Sequence, residues 1–384
     1  MKAIFNQLLA ICMVIFVSCS TTTYSGRWVR WNASGIDDYK KFPSYDFQAS
    51  ENPFHFHVEY QKHLDRLMVP VDREEEGALL NVIKASETTA FIVIKNDTLL
   101  YEKYLSGYTR DSINTSFSVA KSFTSLLVGV AIDQGIIQSR EDKISRYLPE
   151  LLDVDPKYQE VQLSHLLDMK SGIQFKDHDL IWGDKPKAYY HPQLRERIME
   201  LPVTDEPGAE FKYNSYNPIV IGMILERVTG MMPAAYFEKQ IWDQMGMEYG
   251  GSWSLDSEES RMTKMESGIN LRAIDFAKFG RLVLKQGTWN SEQVISKEWM
   301  NQTVDISQQH VVDDYGGEIY YKDFWWLFSE NGEQVDIISG WGHLGQYLYI
   351  FPETQVIIVR MGKDNDGVKS WSQLFKTINE SLVE

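Results

Sequence analysis

The chain has 384 residues, 43% of them apolar and 24% charged, which is ordinary globular usage and argues against a disordered protein. The formal net charge of −16 argues against nucleic acid as a partner, because its phosphates would be repelled. The two cysteines, Cys12 and Cys19, both lie in the N-terminal segment, so the rest of the chain has no disulfide, no cysteine nucleophile and no thiolate metal site.

Met1-Lys2 opens with a positive charge, and a mostly apolar stretch follows from Ile4 to Val17. That stretch is shorter than the ~20 residues needed to cross a bilayer and ends in small residues, so residues 1–18 are expected to be a signal peptide. The ending Val17-Ser18-Cys19 resembles the lipobox of bacterial lipoproteins. That resemblance implies lipid attachment at Cys19 and a membrane-anchored place in the bacterial cell envelope. An ordinary secretory signal with an incidental cysteine is the alternative. Residues 19–75 are expected to be a tether and an aromatic N-terminal extension packed on the body. His55 and His57 alternate as on a strand and read as packing or surface histidines rather than a metal pair.

A hydrolase domain is expected over residues 76–384. Glu76 to Lys84 has the spacing of an amphipathic helix. Thr89–Ile94 and Thr98–Tyr104 read as strands joined by the turn Lys95-Asn96-Asp97. From Ser118 to Gly135 the residues Phe123, Leu126, Leu127, Val130 and Ala131 form one helical face. Residues 140–265 read as a mainly helical lobe, including a helix from about Asn217 to Val228. Ala273 to Lys285 is another amphipathic helix. Trp325–Phe328, Gln346–Phe351 and Val356–Met361 read as strands, and a last helix spans about Val368 to Leu382. Strands, helices, then strands and a helix imply an α/β (α+β) sandwich. Its antiparallel sheet is built from both ends of the chain, flanked by helices, with the helical lobe inserted.

Ser118-Val119-Ala120-Lys121 is an S-x-x-K sequence. A serine hydroxyl needs a base within hydrogen-bond reach, and residues i and i+3 of a helix share a face, so Lys121 can serve Ser118. The helix N-terminus adds backbone N–H groups that favour a developing oxyanion. The competing reading makes Ser118 a helix cap and Lys121 a solvated first-turn residue. Downstream, Pro207-Gly208 leads into Tyr213-Asn214-Ser215, where a phenol could relay a proton to a leaving group or merely fill a core. Gly342-His343-Leu344-Gly345-Gln346 opens a strand, where glycine lets a ligand approach the backbone. A plain glycine-rich turn with a packing histidine has the same sequence. Asp184, Tyr189 and Tyr190 mark an aromatic insertion that either walls a cleft or is a surface loop. His165, inside Leu-Ser-His-Leu-Leu, reads as structural.

Taken in order, these segments resemble the serine β-lactamase and penicillin-binding-protein family, with its class C β-lactamase, D-alanyl-D-alanine carboxypeptidase, esterase and 6-aminohexanoate-dimer hydrolase relatives. The resemblance implies Ser118 as the acylated nucleophile, Lys121 as general base and Tyr213 in the second-motif position. It also implies His343-Leu344-Gly345 in the Lys-Thr-Gly position and an oxyanion hole from the N–H groups of Ser118 and Gln346. Two departures stand out. The family's Tyr-x-Asn ends in Ser215 here, and its third-motif lysine is His343. No cofactor is implied, and no H-E-x-x-H or clustered Asp/His ligand set suggests a metal. The implied substrate is a small molecule or peptide carrying an ester, amide or lactam. Cell-wall carboxypeptidase or transpeptidase activity, or a penicillin-binding sensor without turnover, are the alternatives.

Overall fold

The computed structural model describes residues 21–31, 33–306, 312–314 and 317–383; the expected signal peptide and Cys19 lie outside the described residues. Both ends of the chain contribute to one large sheet. Its strands are β1 (His57–Val58), β2 (Thr88–Lys95), β3 (Thr98–Tyr104), β4 (Val312–Asp314), β5 (Gly317–Lys322), β6 (Trp325–Ser329), β7 (Ile337–Gly342), β8 (Gln346–Phe351) and β9 (Val356–Gly362). They lie in the order β4-β5-β6-β7-β8-β9-β2-β3-β1. The pairs are antiparallel except for β1, which lies parallel to β3. The β2–β3 turn falls on Asn96 and Asp97, whose φ values of 50° and 59° suit a tight hairpin.

Both faces of the sheet are covered. On β2, Ala90, Ile92 and Ile94 join a core with Phe276, Phe279 and Leu282 of the helix Ala273–Leu284. Phe91 and Val93 point the other way, into a core with Leu374, Phe375 and Ile378 of the helix Trp371–Ser381. Burial on both faces is why this strand reads as an unbroken apolar run. Each of the larger of these side chains, Val, Ile, Leu or Phe, contributes roughly 1.5–3 kcal/mol.

The helix expected over Glu76–Lys84 is shorter than its pattern. Glu76–Ala78 instead pairs with Met68–Pro70, and the helix covers only Leu79–Ala85. Gly77 is a poor helix former, and a Cβ there would sit 2.8 Å from Val82 Cγ2. The N-terminal extension is woven into the body. Its Ser44–Phe47 strand pairs with Gly251–Ser254 at the edge of a second, four-stranded sheet, and β1 adds to the large sheet. His55 and His57 are exposed.

Between sheet and helical lobe runs a central helix, α1 (Val119–Asp133), buried continuously from Val119 to Ala131. Its N-terminus is pressed against β7. Cβ atoms on Gly340 and Gly342 would lie 2.7 Å from Val119 Cγ1 and 2.3 Å from the Ser116 carbonyl, so the contact exists only because both are glycine. The close approach sets the first residues of α1 at the edge of the sheet, beside the turn that leads from β7 into β8.

Candidate active site

Phe117, the residue before α1, is buried with φ of 49°, a left-handed conformation that is costly for a bulky residue. This kink turns the chain so that Ser118 stands at the helix N-terminus, partly accessible. The Ser118 side chain makes no capping hydrogen bond to the helix backbone, which removes the capping reading. Its Oγ instead accepts a hydrogen bond from Lys121 Nζ at 2.9 Å. Lys121 is 1% exposed, which removes the solvated reading as well. Its ammonium also donates to the Glu266 carbonyl at 2.8 Å and lies 5.1 Å from the centre of the Tyr213 ring.

Tyr213 precedes α2 (Tyr216–Thr229) and is held among aromatic rings. It stacks on Trp326 at 5.9 Å and meets Tyr321 edge-on at 5.8 Å. Tyr321 is buried, and burial, reinforced by Tyr213 and Asp168, raises its phenol well above the ordinary range, so it stays protonated beside Tyr213. Ser215 is the N-cap position of α2 and lines the same cleft. Asn214 and Asn217 do not: both are buried, tied to Ile173 and to Ser171 and Leu166 respectively. Their carboxamides are consumed by the fold, so they cannot replace the asparagine of the second motif.

The turn before β8 closes the opposite side. His343 and Leu344 line the cleft, and the His343 ring meets Phe117 edge-on at 5.3 Å. His343 is exposed to the cleft, and the desolvation imposed by the protein around it lowers its pKa below the ordinary value. It is therefore neutral at pH 7. Gly345 and Gln346 are buried behind this wall. Gly345 has φ of 75°, and a Cβ there would lie 2.0 Å from Arg360 Nη1. The Gln346 carboxamide donates to the His343 and Gly362 carbonyls and accepts from the Gly362 N–H. Any role of Gln346 toward substrate is thus left to its backbone.

Arg360 carries no signal in the sequence, yet it supports this turn. It is buried, and its guanidinium donates to the carbonyls of Gly345, Ser86 and Asp364 and to Thr88 Oγ1. Trp371 lies 4.0 Å from it. Burial lowers its pKa to about 10, which leaves it charged at neutral pH. Glu266 and Ser267 are a second omission, since both line the cleft. The Glu266 carboxylate is paired with the buried Lys264 at 2.7 Å, and Lys264 also donates to the Tyr189 carbonyl. The pair thereby ties the turn carrying Glu266 to the cleft wall.

The cleft encloses about 620 Å³. Its walls include Trp28, Phe117, Phe175, Tyr189, Tyr190 and Tyr213, so the aromatic insertion does wall a cleft. Asp184 lies beneath, fully buried, accepting from Arg197, Tyr216 and the Lys176 N–H. His165 Nδ1 accepts from the Gln162 N–H in a capping box, a structural place. Chemically, the cleft combines a hydroxyl in hydrogen-bond contact with an amine, a tyrosine ring 5.1 Å from that amine and a helix N-terminus at the hydroxyl.

The fold and this cleft define a hydrolase of the serine β-lactamase-related kind. The sequence pattern of the Beta-lactamase family matches residues 81–381, and the chain belongs to that family. A 6-aminohexanoate-dimer hydrolase from Paenarthrobacter ureafaciens is 26% identical over 304 residues, covering 75% of this chain and 76% of the relative. A Bacillus anthracis structure, named provisionally as a 6-aminohexanoate-dimer hydrolase, superposes with a TM-score of 0.76 at 22% identity over 93% of each chain. A penicillin-binding protein from Bacillus halodurans superposes with a TM-score of 0.60 at 14% identity, over 79% of this chain and 99% of its own.

Proposed function

We propose that the protein cleaves an uncharged ester or amide through an acyl-enzyme on Ser118. The observation that carries this reading is the 2.9 Å contact between Ser118 Oγ and a buried Lys121 Nζ at the base of the cleft. In the reacting state Lys121 is an unprotonated amine and the hydrogen bond reverses, so that the serine O–H donates. Ser118 Oγ attacks the substrate carbonyl carbon as its proton passes to Lys121 Nζ. The N–H groups of Ser118 and Gln346 stabilise the oxyanion. Tyr213, beside Lys121, hands the proton to the departing alcohol or amine. Water then attacks the acyl-enzyme carbonyl and releases Ser118.

Preference for an uncharged substrate rests on His343, whose neutral ring stands where the family's third-motif lysine would be a fixed positive charge. The kinship with a hydrolase of 6-aminohexanoate dimer favours amide chemistry within the accessible range. A fluorophosphonate probe should label Ser118, and Ser118→Ala should lose both labelling and turnover. Labelling of another serine, with activity retained in Ser118→Ala, would refute the mechanism. The same proposal places the enzyme in the bacterial envelope through acylated Cys19. Cys19→Ala should then move the protein out of the membrane fraction or block its maturation, and unchanged membrane association would count against the anchor.

A further inference from the structure

Eight large apolar side chains are strongly exposed among the described residues, and three of them, Val29, Leu180 and Trp182, belong to two segments bordering the cleft. The first segment is the helix Tyr24–Trp31, whose Trp28 lines the cleft and whose Val29 is 49% exposed. The second is the loop before the helix Asp184–Tyr190, which contributes exposed Asp179 to the cleft lining and presents Leu180 at 51% and Trp182 at 59% exposure. The two segments are joined, since Tyr24 Oη donates to the Ile181 carbonyl at 2.6 Å. Arg27, 4% exposed, pins the helix to the wall by donating to the carbonyls of Tyr190 and Asp256. The rim is therefore a fixed edge at the cleft entrance rather than a frayed terminus, with three exposed apolar side chains set among the exposed charges of Arg30, Asp179 and Lys185.

The chain outside the described residues says what can cover this edge. Tyr24 follows Cys19 by five residues. Even fully extended, that linker spans at most about 18 Å, so an anchored Cys19 holds the rim helix next to the headgroup layer. Tryptophan with leucine or valine at a rim is the composition that settles at a membrane interface. The net charge of −16 favours a surface with neutral or zwitterionic headgroups over an anionic one.

We propose that the rim formed by Val29, Leu180 and Trp182 rests on a lipid surface, so that the cleft takes amphiphilic esters or amides out of the membrane interface. This rests on the acyl-enzyme reading and on the anchor at Cys19, and its test separates the three. Full chain and the Leu180→Asp/Trp182→Asp variant are assayed on a water-soluble ester, p-nitrophenyl butyrate, and on p-nitrophenyl palmitate carried in phosphatidylcholine vesicles. Neither residue lines the cleft, so turnover of the soluble ester should be unchanged. Turnover of the vesicle-borne ester should fall about tenfold or more, as two apolar contacts are replaced by charges. Equal rates for variant and wild type on the vesicle-borne ester overturn the proposal, and so does a parallel loss on both substrates. A wild type that sediments as a dimer, with a monomeric variant and no vesicle effect, assigns the rim to a second copy and overturns it too. Ser118→Ala tests the chemistry and Cys19→Ala the anchor, independently of the ratio of the two rates.

Discussion

Lys121→Met is the most informative single change, because it keeps most of the side-chain volume and removes only the amine. In the native protein that amine makes two contacts of consequence, with Ser118 Oγ at 2.9 Å and with the Glu266 carbonyl at 2.8 Å. Loss of a positioned base costs typically 10²–10⁴ in rate. That corresponds to about 2.7–5.4 kcal/mol of transition-state stabilisation. Stability should change far less. The Glu266 carbonyl loses a partner, at a cost of about 1–3 kcal/mol, while removal of a buried polar group offsets part of it. Two measurements separate the effects: kcat/KM on a chromogenic ester, and the thermal midpoint by circular dichroism. The expected result is a folded protein whose kcat/KM is at least ~100-fold lower and whose fluorophosphonate labelling slows in parallel. A variant within tenfold of wild type would show that Lys121 only supports the helix. A large fall in thermal midpoint matching the lost activity would show that the rate loss reports unfolding.

Tyr213→Phe should lower kcat strongly while Ser215→Ala lowers it little, measured on one ester at saturating concentration; the opposite order would move the second motif by two residues. For His343, burial lowers the folded pKa, so the ring is neutral at pH 7 and gains its proton only below the ordinary histidine range. KM for a carboxylate-bearing substrate should therefore fall as pH drops below about 6.5, relative to a neutral substrate, and His343→Lys should remove that difference at pH 7. No pH difference between the two substrates, together with no effect of the lysine, would turn His343 away from the substrate. Arg360→Met should lower the unfolding free energy by about 3 kcal/mol or more, since several buried acceptors lose their donor, and should reduce labelling of Ser118 even at temperatures where the variant is folded. Labelling at the wild-type rate would mean that the turn before β8 does not contribute to the site.

The elements that were legible share one property: their burial follows a simple period. Thr89–Ile94, Gln346–Phe351 and Val356–Met361 are covered on both faces and read as continuous apolar runs, and α1 and the helix Ala273–Leu284 carry wide apolar faces. What escaped lacks such a period. β7 reads Ile-Ile-Ser-Gly-Trp-Gly, a poor strand by composition, because its glycines are dictated by the approach of α1 rather than by the sheet. Glu76–Ala78 carries a helical pattern, yet it pairs with Met68–Pro70, and Gly77 yields to packing against Val82. The N-terminal extension could be recognised as aromatic, but no local rule says that Ser44–Phe47 must find Gly251–Ser254 some two hundred residues away.

The candidate site divides along the same line. Ser118 and Lys121 are legible because three residues of one helix suffice to bring them together, and the 2.9 Å contact needs nothing from elsewhere in the chain. Tyr213 and His343 could be placed only through the order of motifs, since their meeting with Ser118 depends on how α2 and β7 pack around α1. The residues with no sequence signal are those that hold these pieces in register. Arg360 on β9 joins the turn at Gly345 to Ser86 and Thr88 at the start of β2. Lys264 ties Glu266, whose carbonyl receives Lys121, to Tyr189 on the cleft wall. Each is a buried cation that holds distant backbone carbonyls, those of Gly345, Ser86 and Asp364 for Arg360 and that of Tyr189 for Lys264, and a carbonyl is present at every position, so that part of the pairing leaves no mark on the residues it engages. A charge buried this deeply is expensive unless fully hydrogen-bonded. Its persistence next to the cleft is explained by what it fixes: a nucleophile, a base and a turn that come from three distant parts of the chain.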